Sequence, residues 1–316
     1  MNDYQKALRS MRCAFLCFIV IMPICATAQI KPSRSWLVDM ARRPSSEGPI
    51  PSIMGGVEMY RGWASYQHEQ AWQFRVHTVI EPYRFVYDAD TNSIQWTSSL
   101  EFHQELTANP MSDIGFNPRT ARWEEQLLIH AAASWWSARA GWFHRCKHDI
   151  DNTDAPNDAS QPDYSPVRRT LILSGPTVGA LTKPITAGNW TFRLAGGAEW
   201  YVVNDDYRTP SSSTTGSWKG MQGALWFRGD ATTTVSEAFL VGARYYISLP
   251  WFSDRYGAPE DIVVPHEARA EVFGTFHSML AAMDIVLSAE HTFDEVALLN
   301  AMPSTYFQVG LRFRSR

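Results

Sequence analysis

The stretch "STYFQVGLRFRSR" at the end of the chain alternates strictly. Phe307, Val309, Leu311 and Phe313 fall on one side of an extended chain, and Gln308, Gly310 and Arg312 on the other. Successive side chains of a strand point to opposite faces, so the stretch is a ribbon with one apolar and one polar face. The same period recurs upstream. Trp72, Phe74, Val76, Thr78 and Ile80 alternate with Gln73, Arg75, His77 and Glu81, and Ile94, Trp96, Ser98, Leu100 and Phe102 with Gln95, Thr97, Ser99, Glu101 and His103. Trp190, Phe192, Leu194, Ala198 and Trp200 alternate with Thr191, Arg193, Gly197 and Glu199. Phe239, Val241, Ala243, Tyr245 and Ile247 face away from Gly242, Arg244 and Ser248, and Met283, Ile285 and Leu287 from Asp284, Ser288 and Glu290. Such a pattern suits an antiparallel meander rather than buried parallel strands.

About twelve strands are predicted, roughly over 56–66, 71–86, 93–107, 121–136, 138–147, 167–178, 189–203, 218–229, 236–249, 266–278, 281–290 and 304–313. Many reach the ten or so residues that a tilted strand needs to span a bilayer. The connections expected on one side (Ala108–Thr120, His148–Pro166, Asn204–Ser217, Pro250–Pro265, His291–Pro303) are long and polar, with one short connection near His68. On the other side (Asp88–Asn92, around Ser137, Asp230–Val235, around Leu280) they are tight, with Gly179–Gly188 as the exception. That asymmetry, an even strand count and Trp or Tyr near strand ends make the expected fold an all-β, transmembrane, antiparallel up-and-down barrel. A secreted β-sandwich also alternates, but its apolar face would point inward.

The terminal strand, apolar on one face with an aromatic near its end, resembles that of Gram-negative outer-membrane β-barrel proteins. It departs from the family in carrying Arg314-Ser315-Arg316 after the aromatic. The resemblance implies insertion by the barrel assembly machinery and names no substrate.

Lys6, Arg9 and Arg12 precede an apolar core from about Ala14 to Ile24, and Ala26-Thr27-Ala28 has the small-x-small form that signal peptidase cleaves. Residues 1–28 are therefore expected to be a signal peptide, 29–55 a Pro- and Ser-rich periplasmic lead-in and 56–316 the barrel, with no internal repeat or second domain. Loss of the leader takes the formal charge from −4 to −6 and leaves Cys146 as the one cysteine, so no internal disulfide forms. A mildly acidic chain without a basic patch excludes nucleic acid as a partner. With 13 Trp, 12 Tyr and 16 Phe against 19% charged residues, the composition matches an exported, lipid-facing protein. Its expected location is the outer membrane, with lipid and lipopolysaccharide as neighbours.

With the apolar face in lipid, a charged set points into the lumen: Arg75, His77, Glu101, His103, Glu105, Glu124, His130, Arg193, Glu199, Arg244, Glu267, Arg269, Glu271, His277 and Asp284. Both signs are present in comparable number, which favours mutual pairing over a ring of one sign. A five-residue Asp88–Asn92 turn pairs Tyr87 with Ser93 and sets His77 opposite His103. His77, Glu101, His103, Glu105, Glu124 and His130 thus form a polar cluster with the groups that acid–base or metal chemistry uses. The facing of the fourth strand stays open, since this arrangement turns Glu125 to lipid or to the interface.

The stretch "AGWFHRCKHDIDN" projects His144, Cys146 and His148 from one face of a strand, with Asp149 and Asp151 just beyond. An H-x-C-x-H triple with Asp149 offers ligands for a divalent metal, the one cofactor the sequence suggests. His144 or His148, oriented by Asp149 or Asp151, could alternatively serve as the base of a lipid-modifying hydrolase. The plain alternative is that strand rims are rich in His, Asp and Lys because water is there. The stretch also resembles an H-x-S-S-H motif of uncharacterised outer-membrane barrels, with Cys146 and Lys147 in the serine positions. "VNDDYR", Val203 to Arg208, has the composition of a calcium-binding loop root. No G-x-S-x-G elbow, H-E-x-x-H helix or phosphate loop occurs, nor the Asn-Ser and His arrangement of outer-membrane phospholipases. The expected function is non-enzymatic, a narrow channel or a structural surface barrel, with a rim hydrolase as the alternative.

Overall fold

The computed structural model describes residues 48–64, 72–89, 92–109, 117–133, 135–149, 170–206, 220–252, 266–278, 281–292 and 304–315. The expected signal peptide, the residues before 48 and the long connections lie outside them. Fourteen strands are present among these residues: β1 (Gly48–Ala64), β2 (Trp72–Ala89), β3 (Asn92–Asn109), β4 (Asn117–Ala132), β5 (Trp136–Asp149), β6 (Thr170–Thr182), β7 (Ile185–Ala187), β8 (Trp190–Trp200), β9 (Val203–Asp206), β10 (Met221–Ser236), β11 (Phe239–Phe252), β12 (Glu267–His277), β13 (Ala281–Thr292) and β14 (Ser304–Ser315). The short β7 and β9 extend the lines of β6 and β8, so the wall has twelve staves. Every pairing is antiparallel, and β1 on β14 closes the ring from Gly56↔Arg314 to Ala64↔Tyr306. The fold is a closed twelve-strand barrel.

Five connections on one end are two or three residues long, and six on the other end, here called the outer end, are longer. The expected exception at Gly179–Gly188 disappears. Strand pairing continues through Thr182 and Ile185–Ala187 to a two-residue turn at Gly188-Asn189, where Gly188 takes φ 61°. That left-handed conformation is one glycine adopts freely. The turn expected at Asp230–Val235 also moves, to Glu237-Ala238. "GDATTT" has turn composition, but Asp230 pairs with Arg244 inside the barrel and the threonines favour strand. β1 begins at Gly48 rather than Gly56, with a register shift between Pro49 and Ser52 that accommodates the prolines.

The two faces of the wall invert the arrangement of a water-soluble protein. Leu127 and Ile129 are both 58% exposed on the outside, as is Leu287 at 55%. Arg75, Glu58 and Arg312, on the inside, are at most 1% exposed. A sandwich would show the reverse. Tyr83, Phe85 and Tyr87 stand exposed near the tight-turn end, and Trp63 and Phe307 near the outer end, in the manner of aromatic girdles.

Aromatic side chains pack closely across strands on the lumen side. Gly310 lies opposite Tyr60 at the closing seam, where a Cβ would come within 2.2 Å of the tyrosine ring. Only a residue without a side chain lets that ring lie flat over the neighbouring strand. Trp226 covers Gly197 in the same way, with 2.4 Å to a Cβ built there.

Candidate functional site

Each residue of the expected lumen set lies on the inward side of its strand, and most are buried. His77 does face His103, although the turn pairs Asp88 with Ser93 rather than Tyr87 with Ser93. A register shift between Ile80 and Arg84 absorbs the one-residue difference. His103 in turn neighbours Glu124 on β4.

All three carboxylates of the polar cluster are held by arginines. Arg75 Nε donates to Glu105 at 2.6 Å, Arg145 Nε donates to Glu124 at 2.6 Å, and Arg139 Nη1 lies 3.6 Å from Glu101. Glu101 also meets His130 at 3.6 Å and accepts from Ser99 Oγ at 3.1 Å, while Ser99 Oγ lies 2.7 Å from His130 Nε2. A serine nucleophile needs one imidazole nitrogen for its own proton and the other for the orienting carboxylate. Here Nε2 meets both Ser99 and Glu101, and the serine donates to Glu101. The trio is a buried polar knot, and its geometry is not that of a hydrolytic triad.

The densest part of the lumen lies at the closing seam. Arg312 on β14 reaches Glu58 on β1 at 3.1 Å, Asp284 on β13 at 3.1 Å and Glu271 on β12 at 2.8 Å. Arg75 also lies 3.3 Å from Glu290 and 3.8 Å from Glu58, and Arg269 bridges Glu271 and Glu290 at 2.5 Å each. Arg244 extends the chain of charge to Asp230, which also binds Arg228 at 2.7 Å. Tyr60 sits between two guanidinium groups, with Arg75 and Arg269 each 4.9 Å from its ring centroid. Its hydroxyl donates to Glu58 at 2.7 Å and accepts from Arg312 at 3.1 Å. Guanidinium over an aromatic face, with every carboxylate shared between cations, lets charge be buried without isolated ions.

The opposite side of the lumen is apolar toward the outer end. Phe143, Leu171, Leu173, Tyr201, Met221 and Ala224 pack together, with Phe252 against them. Arg145 lies 4.9 Å over Phe143 and bridges to Glu199 at 3.1 Å, joining this cluster to the charged half.

Sequence reasoning did not single out Arg145, Arg139, Tyr60, Ser99 or the apolar side. Signals for two of these existed. Arg145 must face away from His144 and Cys146, and "LIL" at 171–173 is apolar on both faces, so an apolar side chain had to point inward whichever way the strand faced.

His144, Cys146 and His148 do share one face, and it is the outward one, because Phe143 and Arg145 point into the lumen. Trp123 stacks on His148 with ring centroids 4.7 Å apart, and His148 Nδ1 lies 3.1 Å from Thr170 Oγ1. Cys146 is buried between Trp123 and Ile172, its register neighbours. Among the described residues, no group of three or more His, Cys, Asp or Glu gathers to hold a metal ion. Asp149 ends β5, opposite Thr120, and Asp151 lies outside the described residues. The proposed calcium loop root is instead strand β9, which alternates Asn204 and Asp205 between faces, and Asn204 Nδ2 donates to Met221 O at 2.7 Å.

No protein-family model matches the chain, so the resemblance to the H-x-S-S-H barrels gains no support, and no curated protein matches it. Among solved structures it is similar to outer membrane phospholipase A from Escherichia coli, at 10% identity over 82% of this chain and 91% of that one, with a TM-score of 0.43. It is also similar to the transport unit of the autotransporter AIDA-I from Escherichia coli (10% identity, 89% and 93% covered, TM-score 0.38) and to the NanC porin (10% identity, 81% and 98% covered, TM-score 0.38). Likeness at this level assigns no activity and no solute.

Proposed function

We propose that the chain is a Gram-negative outer-membrane β-barrel of non-enzymatic type. On this reading it is exported by a cleaved signal peptide, inserted by the barrel assembly machinery and surrounded by outer-membrane lipid and lipopolysaccharide. The role is structural or surface-displaying, with the bore closed at rest. One observation carries it: the lumen charges at the seam are paired and sealed, with Arg75, Glu58 and Arg312 at most 1% exposed. A bore that conducted ions would bathe such groups in water, and a centre for acid–base catalysis would leave one of them reachable. The expected result is a heat-modifiable band on unboiled gels together with planar-bilayer conductance at the level of protein-free lipid. Steady single-channel steps from the wild-type protein would overturn the closed bore.

A lipid- or lipopolysaccharide-modifying hydrolase at the rim is the second reading, favoured by the outward facing of His144 and His148, where lipid lies. His144→Ala and His148→Ala are expected to leave the band shift and the release of fatty acid from outer-membrane lipid unchanged. Loss of such a release in either variant would make the second reading the better one.

A further inference from the structure

On β4 and β5 the outward wall is apolar except for one row and its margin. Elsewhere Arg61, over the rings of Trp63 and Trp72, and the exposed Asp205 also face outward toward the outer end. Glu125 on β4 and His144 on β5 are register partners, both partly exposed, with Ser174 of β6 next in the row and the exposed Gln104 one step toward the outer end on β3. Exposed apolar side chains frame them: Phe102 beside Glu125, and Leu127 and Trp142 in the row below. Trp123, which stacks on His148, lies one residue pair further out at the girdle. Glu125 and His144 therefore sit about 5 Å inside the interface, on the lipid side. Among the described residues, Glu125, His144 and Gln104 carry no side-chain hydrogen bond or ion pair. Polar groups on a lipid-facing wall are unfavourable unless something meets them.

We propose that a second copy of this chain meets them, packing the β4–β5 walls together about a two-fold axis along the membrane normal. This rests on the reading of the wall as lipid-facing. The row holds an acid beside a base, and rotation about an axis between β4 and β5 sets each copy's Glu125 against the other copy's His144. Such a patch is self-complementary, as an isologous contact requires. An anionic lipid headgroup fits it less well, because the Glu125 carboxylate repels phosphate. Leu127, Phe102 and Trp142 supply the apolar contact around the polar centre.

The test uses the refolded mature chain, first checked for the heat-modifiable band shift and then sized by analytical ultracentrifugation in detergent and by disulfide trapping of Leu127→Cys in a Cys146→Ser background in vesicles. A dimer is expected for the wild type, together with a trapped Leu127→Cys dimer. Glu125→Lys should weaken the dimer at least tenfold, Glu125→Gln less, and the swap of Glu125→Lys with His144→Glu should restore it. A band-shifted wild type that stays monomeric throughout overturns the proposal, as does a dimer indifferent to Glu125→Lys. Tighter retention of anionic lipid by Glu125→Lys with no change in mass also overturns it, assigning the row to headgroups. Absence of the band shift in the wild type would refute the barrel reading itself, and so separates the two failures.

Discussion

Arg312→Met is expected to lower the unfolding free energy by about 3–5 kcal/mol, the usual cost of removing one partner from a buried charge cluster. Methionine keeps much of the volume and removes the guanidinium. Glu58, Glu271 and Asp284 then keep their charge with one cation fewer, and Tyr60 loses the donor to its hydroxyl. The loss concentrates at the seam between β14 and β1, where the ring closes over the longest separation in sequence. Urea unfolding of the refolded protein in vesicles, followed by tryptophan fluorescence, measures it. Arg312→Lys should recover part, since a single ammonium keeps the charge but not the forked geometry. A loss for Arg312→Met within about 1 kcal/mol, the value of a solvated ion pair, would mean that water reaches the network and that the bore is open there.

Leu287→Arg is the second large effect. Leu287 lies midway along β13, outward and 55% exposed, between Val309 and Val272 in its row. If lipid covers that face, an arginine at the middle of the band costs about 2–4 kcal/mol. If water covers it, the same change on an exposed strand stays within about 0.5 kcal/mol. The same unfolding assay decides between them, and a neutral result would remove the membrane from the interpretation. Arg312→Met tests the inside of the wall and Leu287→Arg the outside.

Much of this architecture is legible from local pattern. A period of two survives along most of the long staves because most are apolar on one side and polar on the other, so the number of strands and most of their extents follow from the chain alone. His77 against His103 was expected from a turn one residue out of register, and it holds because the shift between Ile80 and Arg84 offsets that residue. The Gly188-Asn189 turn was not, because Pro184 interrupts the alternation that would have carried the sixth stave onward. The H-x-C-x-H stretch shows the limit of the method from the other direction. Alternation says that His144, Cys146 and His148 share a face, but in a strand where both faces hold polar groups it does not say which face is the lumen. The neighbouring strands decide that, by setting Trp123 against His148 and Glu124 against Arg145.

By itself, then, the sequence determined an all-β chain of about twelve amphipathic strands with charge on one face, since side-chain alternation is a local property of extended backbone. The partners of that charge were decided only by closure of the ring. Arg312 and Glu58 are separated by 254 residues yet lie 3.1 Å apart, because the first and last strands must pair to leave no open edge in lipid.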